Sequence, residues 1–166
     1  MGLIKPEIYD SLYRDEQFTK YECLFELGVE FKGTILDAGC GTALLYEYVE
    51  SNRGETGAKY VCLDPDPEML KIAGAKLRSP LIILIEGYAE ELPFRNDAFD
   101  LIVSISTWGV LSRTPSMLKD LKSALRMGGV IVVTGHPKTY HVKPRDVDES
   151  FFYVGQCIDD FYMATR

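Results

Sequence analysis

The sequence predicts an α/β protein with a doubly wound, mostly parallel sheet and helices on both faces. Short aliphatic segments alternate with stretches of helical periodicity, and residues 34–36 lead through a glycine-containing turn into a helical pattern. Strands separated by helices in this way form parallel sheets with right-handed crossovers. The chain has 166 residues, which is enough for one domain with a complete core and too few for two of ordinary size.

Five segments have the composition of buried strands, and two more close the chain. The first five are residues 34–36, 59–63, 81–85, 99–104 and 130–134. The third is aliphatic on both faces, which is typical of a parallel strand covered by helices on each side. Residues 151–154 and 161–163 predict closing strands, joined through 155–160 as a hairpin with the last strand antiparallel.

Helical patterns fill the stretches between these strands. Apolar residues within 8–28 recur at spacings that predict one or two amphipathic helices, and residues 44–49 follow the first strand with the same period. Residues 66–77 begin with an aspartate cap and a first-turn proline. Residues 114–129 begin with Thr-Pro and end at two glycines, which predicts a further helix.

Composition and charge restrict the classes of function. Hydrophobic residues make up 46% and charged residues 26% of the chain, as in soluble globular domains. The net charge of −7 disfavours broad binding to phosphate backbones, which favours a small molecule or a protein over nucleic acid as the substrate. The longest aliphatic run, 81–85, is far too short to span a bilayer, and no signal peptide is evident. These observations predict a cytoplasmic protein.

The cysteine pattern predicts neither a disulfide nor a metal site. The four cysteines are Cys23, Cys40, Cys62 and Cys157. They form no CxxC pair and have no histidine at the spacing of zinc ligands. We therefore expect four free thiols and no bound metal.

The loop Asp37-Ala38-Gly39-Cys40-Gly41 follows the first predicted strand. Gly39 and Gly41 allow a sharp turn and a close approach of a ligand to the following helix, although a plain strand-to-helix turn also uses glycines. A dinucleotide loop would place a third glycine or alanine where Leu44 stands. Asp37 would repel a pyrophosphate but can hold the α-amino group of a methionine moiety. The loop therefore favours S-adenosylmethionine over NAD.

A second carboxylate follows the second predicted strand. Asp64 lies 25 residues beyond Gly39, where it can accept hydrogen bonds from both hydroxyls of a ribose. Pro65 next to it can pack against an adenine ring. The alternative is that Asp64 only forms a turn within the DPDP segment. Asp66 is more typical of a helix cap than of a ligand contact.

Five segments in a fixed order resemble the successive motifs of class I S-adenosylmethionine-dependent methyltransferases. They are ILDAGCGTALL (35–45), LDPDPEML (63–70), YAEELPF (88–94), FDLIVS (99–104) and LRMGGVIVV (125–133). The resemblance is to the subgroup that contains ubiquinone and menaquinone methyltransferases. It implies a seven-stranded Rossmann-like sheet of order 3-2-1-4-5-7-6. It also implies one domain over 1–166, with 1–30 as a helical lid segment and 31–166 as the core.

By position, the resemblance assigns cofactor contacts to the carboxyl ends of the first four strands. The residues are Asp37, Gly39, Cys40, Gly41, Asp64, Pro65, Tyr88, Ala89 and Ser104. Ala89 would contact the adenine through its backbone amide. The family often has aspartate immediately before this alanine, whereas Tyr88 stands here and either stacks on adenine or packs against the protein.

The acceptor side has weaker candidates. Trp108 follows the fourth strand, where the resembled family lines the transferring methyl group, although a lone tryptophan is more often a core residue. Tyr9 and Tyr13 either belong to a substrate-binding lid or pack as an ordinary helix. His136 follows the fifth strand and is the candidate general base if the acceptor must lose a proton; an exposed strand exit is the alternative.

The sequence thus predicts a methyltransferase that uses S-adenosylmethionine and releases S-adenosylhomocysteine, with a small-molecule or protein acceptor. One alternative is a non-catalytic S-adenosylmethionine-binding module or a subunit that needs a partner. An NAD-dependent oxidoreductase is less favoured. The chain after residue 134 leaves little room for a crossover helix, so an oligomer mate or partner subunit is expected to complete the acceptor site. No motif identifies the acceptor.

Overall fold

Seven strands and five helices make up the part of the chain that the computed structural model describes, residues 4–109 and 116–166. The strands are β1 (Thr34–Ala38), β2 (Lys59–Asp64), β3 (Ile82–Glu86), β4 (Phe99–Ser104), β5 (Leu125–Gly135), β6 (Phe152–Cys157) and β7 (Asp159–Thr165). The helices are α1 (Pro6–Glu26), α2 (Leu44–Arg53), α3 (Pro67–Lys76), α4 (Ser116–Ala124) and α5 (Pro144–Val147).

All seven strands form one sheet of order β3-β2-β1-β4-β5-β7-β6. Strands β1 to β5 are parallel, and β7 is antiparallel to both of its neighbours. This confirms the predicted fold class, strand order and antiparallel last strand. The neighbours of β1 are β2 and β4, so the chain order reverses at β1. Ligands of such sheets bind at this switch point, beyond the carboxyl ends of the strands.

The core has two halves, one on each face of the sheet. Consecutive strand residues point to opposite faces, so Ile35 packs in one cluster with α1, α2 and α3 while Leu36 packs in the other with α4. Both side chains are fully buried. The central strands are therefore hydrophobic on both faces, as the sequence indicates. None of the helices within 4–109 and 116–166 is long and apolar enough to cross a membrane.

The start of α3 confirms the predicted cap. Asp66 Oδ1 accepts a hydrogen bond of 2.9 Å from the amide of Glu68, and Pro67 is the first helical residue. We expect Asp66→Ala to lower the free energy of unfolding by about 1 kcal/mol, the usual value of an N-cap. Urea denaturation followed by circular dichroism measures this change. A loss above about 3 kcal/mol would contradict a simple capping role.

The end of α4 differs from the prediction. The helix stops at Ala124 rather than at Gly128 and Gly129, because Leu125 already pairs with Phe99 in the sheet. The glycines pair with the last residue of the chain: the Gly128 amide donates to the Arg166 carbonyl over 2.7 Å, and the Arg166 amide donates to Gly129. The predicted Thr114-Pro115 start lies outside the described residues.

Two strand predictions are also corrected. Strand β3 lies at the edge of the sheet next to β2, and Ile83 is 49% exposed. The prediction that helices cover both faces of this strand is therefore wrong. Residues 155–160 are not a connection of six residues. Strand β6 extends to Cys157 and β7 begins at Asp159, with Ile158 in the left-handed conformation (φ 65°) at the turn.

The four cysteines form two disulfides, so the prediction of free thiols is wrong. Cys23 of α1 is bonded to Cys157 of β6, with Cα atoms 6.4 Å apart. Cys40 in the loop after β1 is bonded to Cys62 of β2, with Cα atoms 5.4 Å apart. Both separations lie in the range that a disulfide spans. Neither pair has a sequence spacing that could reveal it, because the fold alone brings the partners together.

Candidate cofactor site

The glycine loop after β1 bends back onto β2. Gly39 and Gly41 have φ values of 81° and 55°, in the left-handed region that glycine adopts readily. The amides of Gly39 and Cys40 both donate to the carbonyl of Leu63, over 2.8 and 3.2 Å. A methyl group built on Gly41 would meet no atom within 4 Å. The loop therefore faces open space, where a ligand can reach its backbone.

Asp64 lies at the end of β2 and accepts a hydrogen bond from this loop. Its Oδ2 accepts from the Gly41 amide over 2.8 Å, and its Oδ1 accepts from the Asp66 amide over 2.9 Å. Burial raises the pKa of this carboxyl, although the two backbone hydrogen bonds oppose the shift. Each carboxylate oxygen has a further lone pair that can accept a second hydrogen bond. The geometry thus fits a carboxylate that accepts from two ribose hydroxyls.

Asp37 lies in β1, two residues before Gly39, and is buried. Burial raises its pKa to about 7; a hydrogen bond donated by the hydroxyl of Tyr60 lowers the pKa, and the charge of Asp64 raises it. Sequence reasoning missed Tyr60. No local signal could have found it, because Tyr60 reaches Asp37 only through the parallel register, in which Tyr60 pairs with Ile35 and shares a face of the sheet with Asp37.

The segment after β3 lies beside Asp64. The amide of Gly87 donates to the Asp64 carbonyl over 3.2 Å. Ala89 is buried, whereas Tyr88 is 59% exposed and therefore has an accessible ring face. Pro65 is half-buried next to Asp64. This arrangement is compatible with adenine contacts from the predicted residues and leaves Tyr88 accessible for stacking.

Ser104 and Trp108 both lie inside the protein. Ser104 Oγ donates to the Ala38 carbonyl over 2.8 Å and thereby joins the ends of β4 and β1. Trp108 is 3% exposed, packs in the core and donates from Nε1 to the Val142 carbonyl over 2.7 Å. The indole thus has structural contacts, and its role in substrate binding stays a prediction.

Helix α1 brings Tyr9 and Tyr13 to the cofactor side of the sheet. Their ring centroids are 5.0 Å apart. Burial raises the pKa of Tyr9 to about 12, with contributions from Tyr13 and from the negative charge of Asp64. Beside Tyr9, Asp10 accepts a hydrogen bond from the hydroxyl of Thr42 in the glycine loop. The first half of α1 therefore lies against the loop and close to Asp64.

His136 lies in the turn after β5. Its Nδ1 accepts from the Lys138 amide over 3.2 Å, and its carbonyl accepts from Thr139. These contacts remain within one turn and do not connect His136 to the glycine loop. Its role as general base stays a prediction.

A buried polar cluster at the same end of the sheet was not predicted. Lys20 of α1 contacts Ser106 Oγ at 2.9 Å and Asp159 Oδ1 at 3.2 Å. Asp159 Oδ2 accepts hydrogen bonds of 2.8 Å from Ser106 and Thr134. Ser106 has a left-handed φ of 60°, which is uncommon outside glycine. The cluster joins α1 to the loop after β4 and to β7.

Comparisons with known proteins show the family to which the chain belongs. The sequence profile described as "Methyltransferase domain" matches residues 36–133. A Mycobacterium leprae protein is named phthiotriol/phenolphthiotriol dimycocerosates methyltransferase. It is 30% identical over 57% of this chain, and the match covers 34% of the length of that protein. The demethylmenaquinone methyltransferase of Tropheryma whipplei (strain Twist) is 26% identical over 92% of the chain and 69% of its own length.

A solved structure shares the fold at low identity. It is a Haloferax volcanii methyltransferase in complex with the Trm112 methyltransferase activator, with a TM-score of 0.76, 16% identity, and coverage of 94% of this chain and 92% of that one. The doubly wound sheet, with a glycine loop where the chain order reverses, is the architecture of α/β proteins that bind nucleosides and nucleotides. The chain belongs to the methyltransferase domain family of class I S-adenosylmethionine-dependent methyltransferases.

Proposed function

We propose that the protein transfers a methyl group from S-adenosylmethionine to a small-molecule or protein acceptor. The supporting observation is the pair of carboxylates that flank the glycine loop at the switch point of the sheet. Asp37 lies before the loop, Asp64 is bonded to the Gly41 amide, and the space in front of Gly41 is open. A carboxylate on each side of one loop matches a ligand with an ammonium at one end and a ribose at the other.

The residues have separate tasks in this proposal. Asp37 holds the α-ammonium of the methionine moiety, and Asp64 accepts from the ribose hydroxyls. The backbone of Gly39, Cys40 and Gly41 approaches the ligand, with the amino end of α2 near its carboxylate. The adenine lies against Pro65, Tyr88 and Ala89, and Ser104 lies on the methyl side.

S-adenosylmethionine supplies an activated methyl group on a sulfonium, so the chain needs no nucleophile of its own. The protein binds the donor, aligns the acceptor behind the methyl carbon and excludes water. We infer that residues 1–30 form the lid of a single domain and that 31–166 form its core. Tyr9 and Tyr13 then cover the cofactor and contact the substrate with Trp108. His136 is the candidate base for an acceptor that must lose a proton.

A subunit that needs a partner is the second candidate. In the described chain, α5 is the one helix between β5 and β6, and it has four residues. Little of the chain there can therefore enclose an acceptor. The Haloferax volcanii neighbour was solved with an activator, which supports testing a partner subunit; a homo-oligomer is the alternative. The net charge of −7 supports acceptors other than nucleic acid. A cytoplasmic location stays a prediction. The two disulfides point the other way, because disulfides are more typical of oxidising compartments.

Calorimetric titration with S-adenosylhomocysteine and, separately, with NAD tests the cofactor. We expect binding of the former and none of the latter, because Asp37 would oppose a pyrophosphate. Labelled S-adenosylmethionine is then incubated with the protein and fractionated cell extract, and label should enter one fraction. Binding of NAD alone would overturn the proposal. Binding of S-adenosylhomocysteine without transfer to any fraction would favour the non-catalytic module or the partner-dependent subunit.

A further inference from the structure

The two halves of helix α1 make different kinds of contact with the rest of the protein. In its first half, the partly buried Tyr9 packs against the core. Further contacts there are polar: Asp10 forms hydrogen bonds with Thr42 and, over 2.6 Å, with Lys76, while Arg14 contacts Glu47. On the outer side of this half, apolar side chains are exposed. Partly exposed ion pairs of this kind contribute little to stability. The polar contacts of the first half therefore add little to what fixes α1 over the cofactor site.

The second half of α1 contains the firm attachment. Tyr21, Leu24 and Phe25 are buried in the core, and Lys20 forms its buried contact with Asp159. The Cys23–Cys157 disulfide adds a covalent bond to β6. Strand β6 is itself an edge strand with exposed side chains. The disulfide thus joins two peripheral elements across a sequence separation of 134 residues.

The two disulfides differ in their access to solvent. Cys23 and Cys157 are both half-buried. Cys40 is 8% exposed and Cys62 is fully buried under the glycine loop. Because thiol–disulfide exchange needs access of the attacking thiolate to a sulfur atom, an external reductant reaches the Cys23–Cys157 bond first.

We propose that Cys23–Cys157 is a thiol–disulfide exchange site, and that its reduction by a dithiol loosens α1 and weakens cofactor binding. A thiolate of the dithiol attacks one sulfur, and the other cysteine leaves and takes up a proton. The second thiol of the reductant then attacks the mixed disulfide and frees the remaining cysteine. Two electrons pass from the dithiol, which becomes a disulfide, to the protein, which gains two thiols.

The effect on the cofactor follows from the position of α1. Tyr9 and Asp10 are parts of the same helix and lie at the glycine loop and near Asp64. While the disulfide is intact, these residues are already in place when the cofactor arrives. After reduction, binding must also order α1, and this ordering lowers the apparent affinity. This inference rests on the proposed function, since it assumes that the loop binds S-adenosylmethionine.

Two measurements test the proposal. S-adenosylhomocysteine is titrated into the oxidised protein and into protein kept in dithiothreitol, and amide hydrogen exchange of 17–26 is followed in both states without ligand. We expect the dissociation constant to rise about tenfold on reduction, within the usual range of couplings between sites, and exchange in α1 to accelerate. Alkylation and mass spectrometry should show two modified cysteines, Cys23 and Cys157, rather than four.

The double variant Cys23→Ser/Cys157→Ser is the matched control. It should behave like the reduced protein and should not respond to dithiothreitol. A response in this variant would assign the effect to Cys40–Cys62 and overturn the proposal, as would unchanged affinity and exchange in the reduced wild type. If the oxidised protein binds no S-adenosylhomocysteine, the proposed function fails. The hydrogen exchange of α1 then still decides whether the disulfide holds the helix.

Discussion

Replacing Asp64 by alanine is expected to weaken the binding of S-adenosylhomocysteine by at least about 100-fold, because two charge-assisted hydrogen bonds to ribose hydroxyls, each worth roughly 1.5–3 kcal/mol, are lost together. The variant also loses the hydrogen bond that Asp64 accepts from the Gly41 amide, so the loop loses one of its own supports. Calorimetric titration of wild type and variant under identical conditions measures the ratio of dissociation constants.

Asp66→Ala is the matched control for this experiment. Asp66 lies two residues further on and uses its carboxylate to cap α3, so its loss should reduce stability and leave affinity within about twofold. Unchanged binding in Asp64→Ala would refute the ribose assignment. Equal losses of affinity in both variants would show that the DPDP turn, rather than a carboxylate contact, determines binding.

The sequence predicted those parts of the fold whose pattern is determined locally. Strands β1, β2 and β4 are buried among hydrophobic neighbours, so their segments are visible as short hydrophobic runs. The cap at Asp66 is a contact between neighbours in the chain. Strand β3 has the same aliphatic composition, yet it lies at the edge of the sheet. Composition alone cannot distinguish an edge from a centre, because that depends on which strands pair.

The errors at 125–129 and at the cysteines have the same physical origin. Leu125 ends a helical pattern, but pairing with Phe99 and Arg166 draws the following residues into β5. The partners in each disulfide are brought together by α1 crossing to β6 and by the loop after β1 meeting β2. All of these contacts are distant in sequence, and no local spacing encodes them.

In the candidate site, too, the sequence indicated local features and missed contacts between distant residues. The loop and Asp64 were predicted, because a glycine turn and a carboxylate at a strand end are local signals. Tyr60 was missed, since its contact with Asp37 depends on the register between β1 and β2. Lys20 and Asp159 were missed because α1 and β7 lie at opposite ends of the chain. The sequence therefore indicated the glycine loop and the carboxylate beside it, but not the side chains that contact this region from other elements.

Cofactor affinity is expected to fall about tenfold for each pH unit below about 7, because the pKa of Asp37 is about 7 before the cofactor binds. Below that pH the carboxyl is protonated and neutral, and it cannot pair with the α-ammonium until it releases its proton. The ammonium itself keeps its charge throughout this range. Titrations with S-adenosylhomocysteine between pH 5 and 8 in buffers of different ionisation enthalpy should also show release of about one proton at low pH.

The same group makes the cofactor-free fold less stable as the pH rises. The folded pKa of about 7 exceeds the ordinary value of 3.8, so the folded state holds this proton more tightly than the unfolded chain does. The resulting stabilisation is complete below about pH 4 and is lost as the pH passes 7, a change on the order of 4 kcal/mol. Bound cofactor should offset this loss, because its ammonium stabilises the ionised carboxylate.

Asp37→Asn separates this group from the other carboxyls of the site. The variant keeps an oxygen that can accept from Tyr60 but has no charge. We expect weak binding of S-adenosylhomocysteine at all pH values, and an unfolding free energy that declines less between pH 4 and 7 than in the wild type. If the variant retained the slope of affinity with pH, the slope would belong to Asp64, whose pKa burial also raises, and Asp37 would not hold the ammonium.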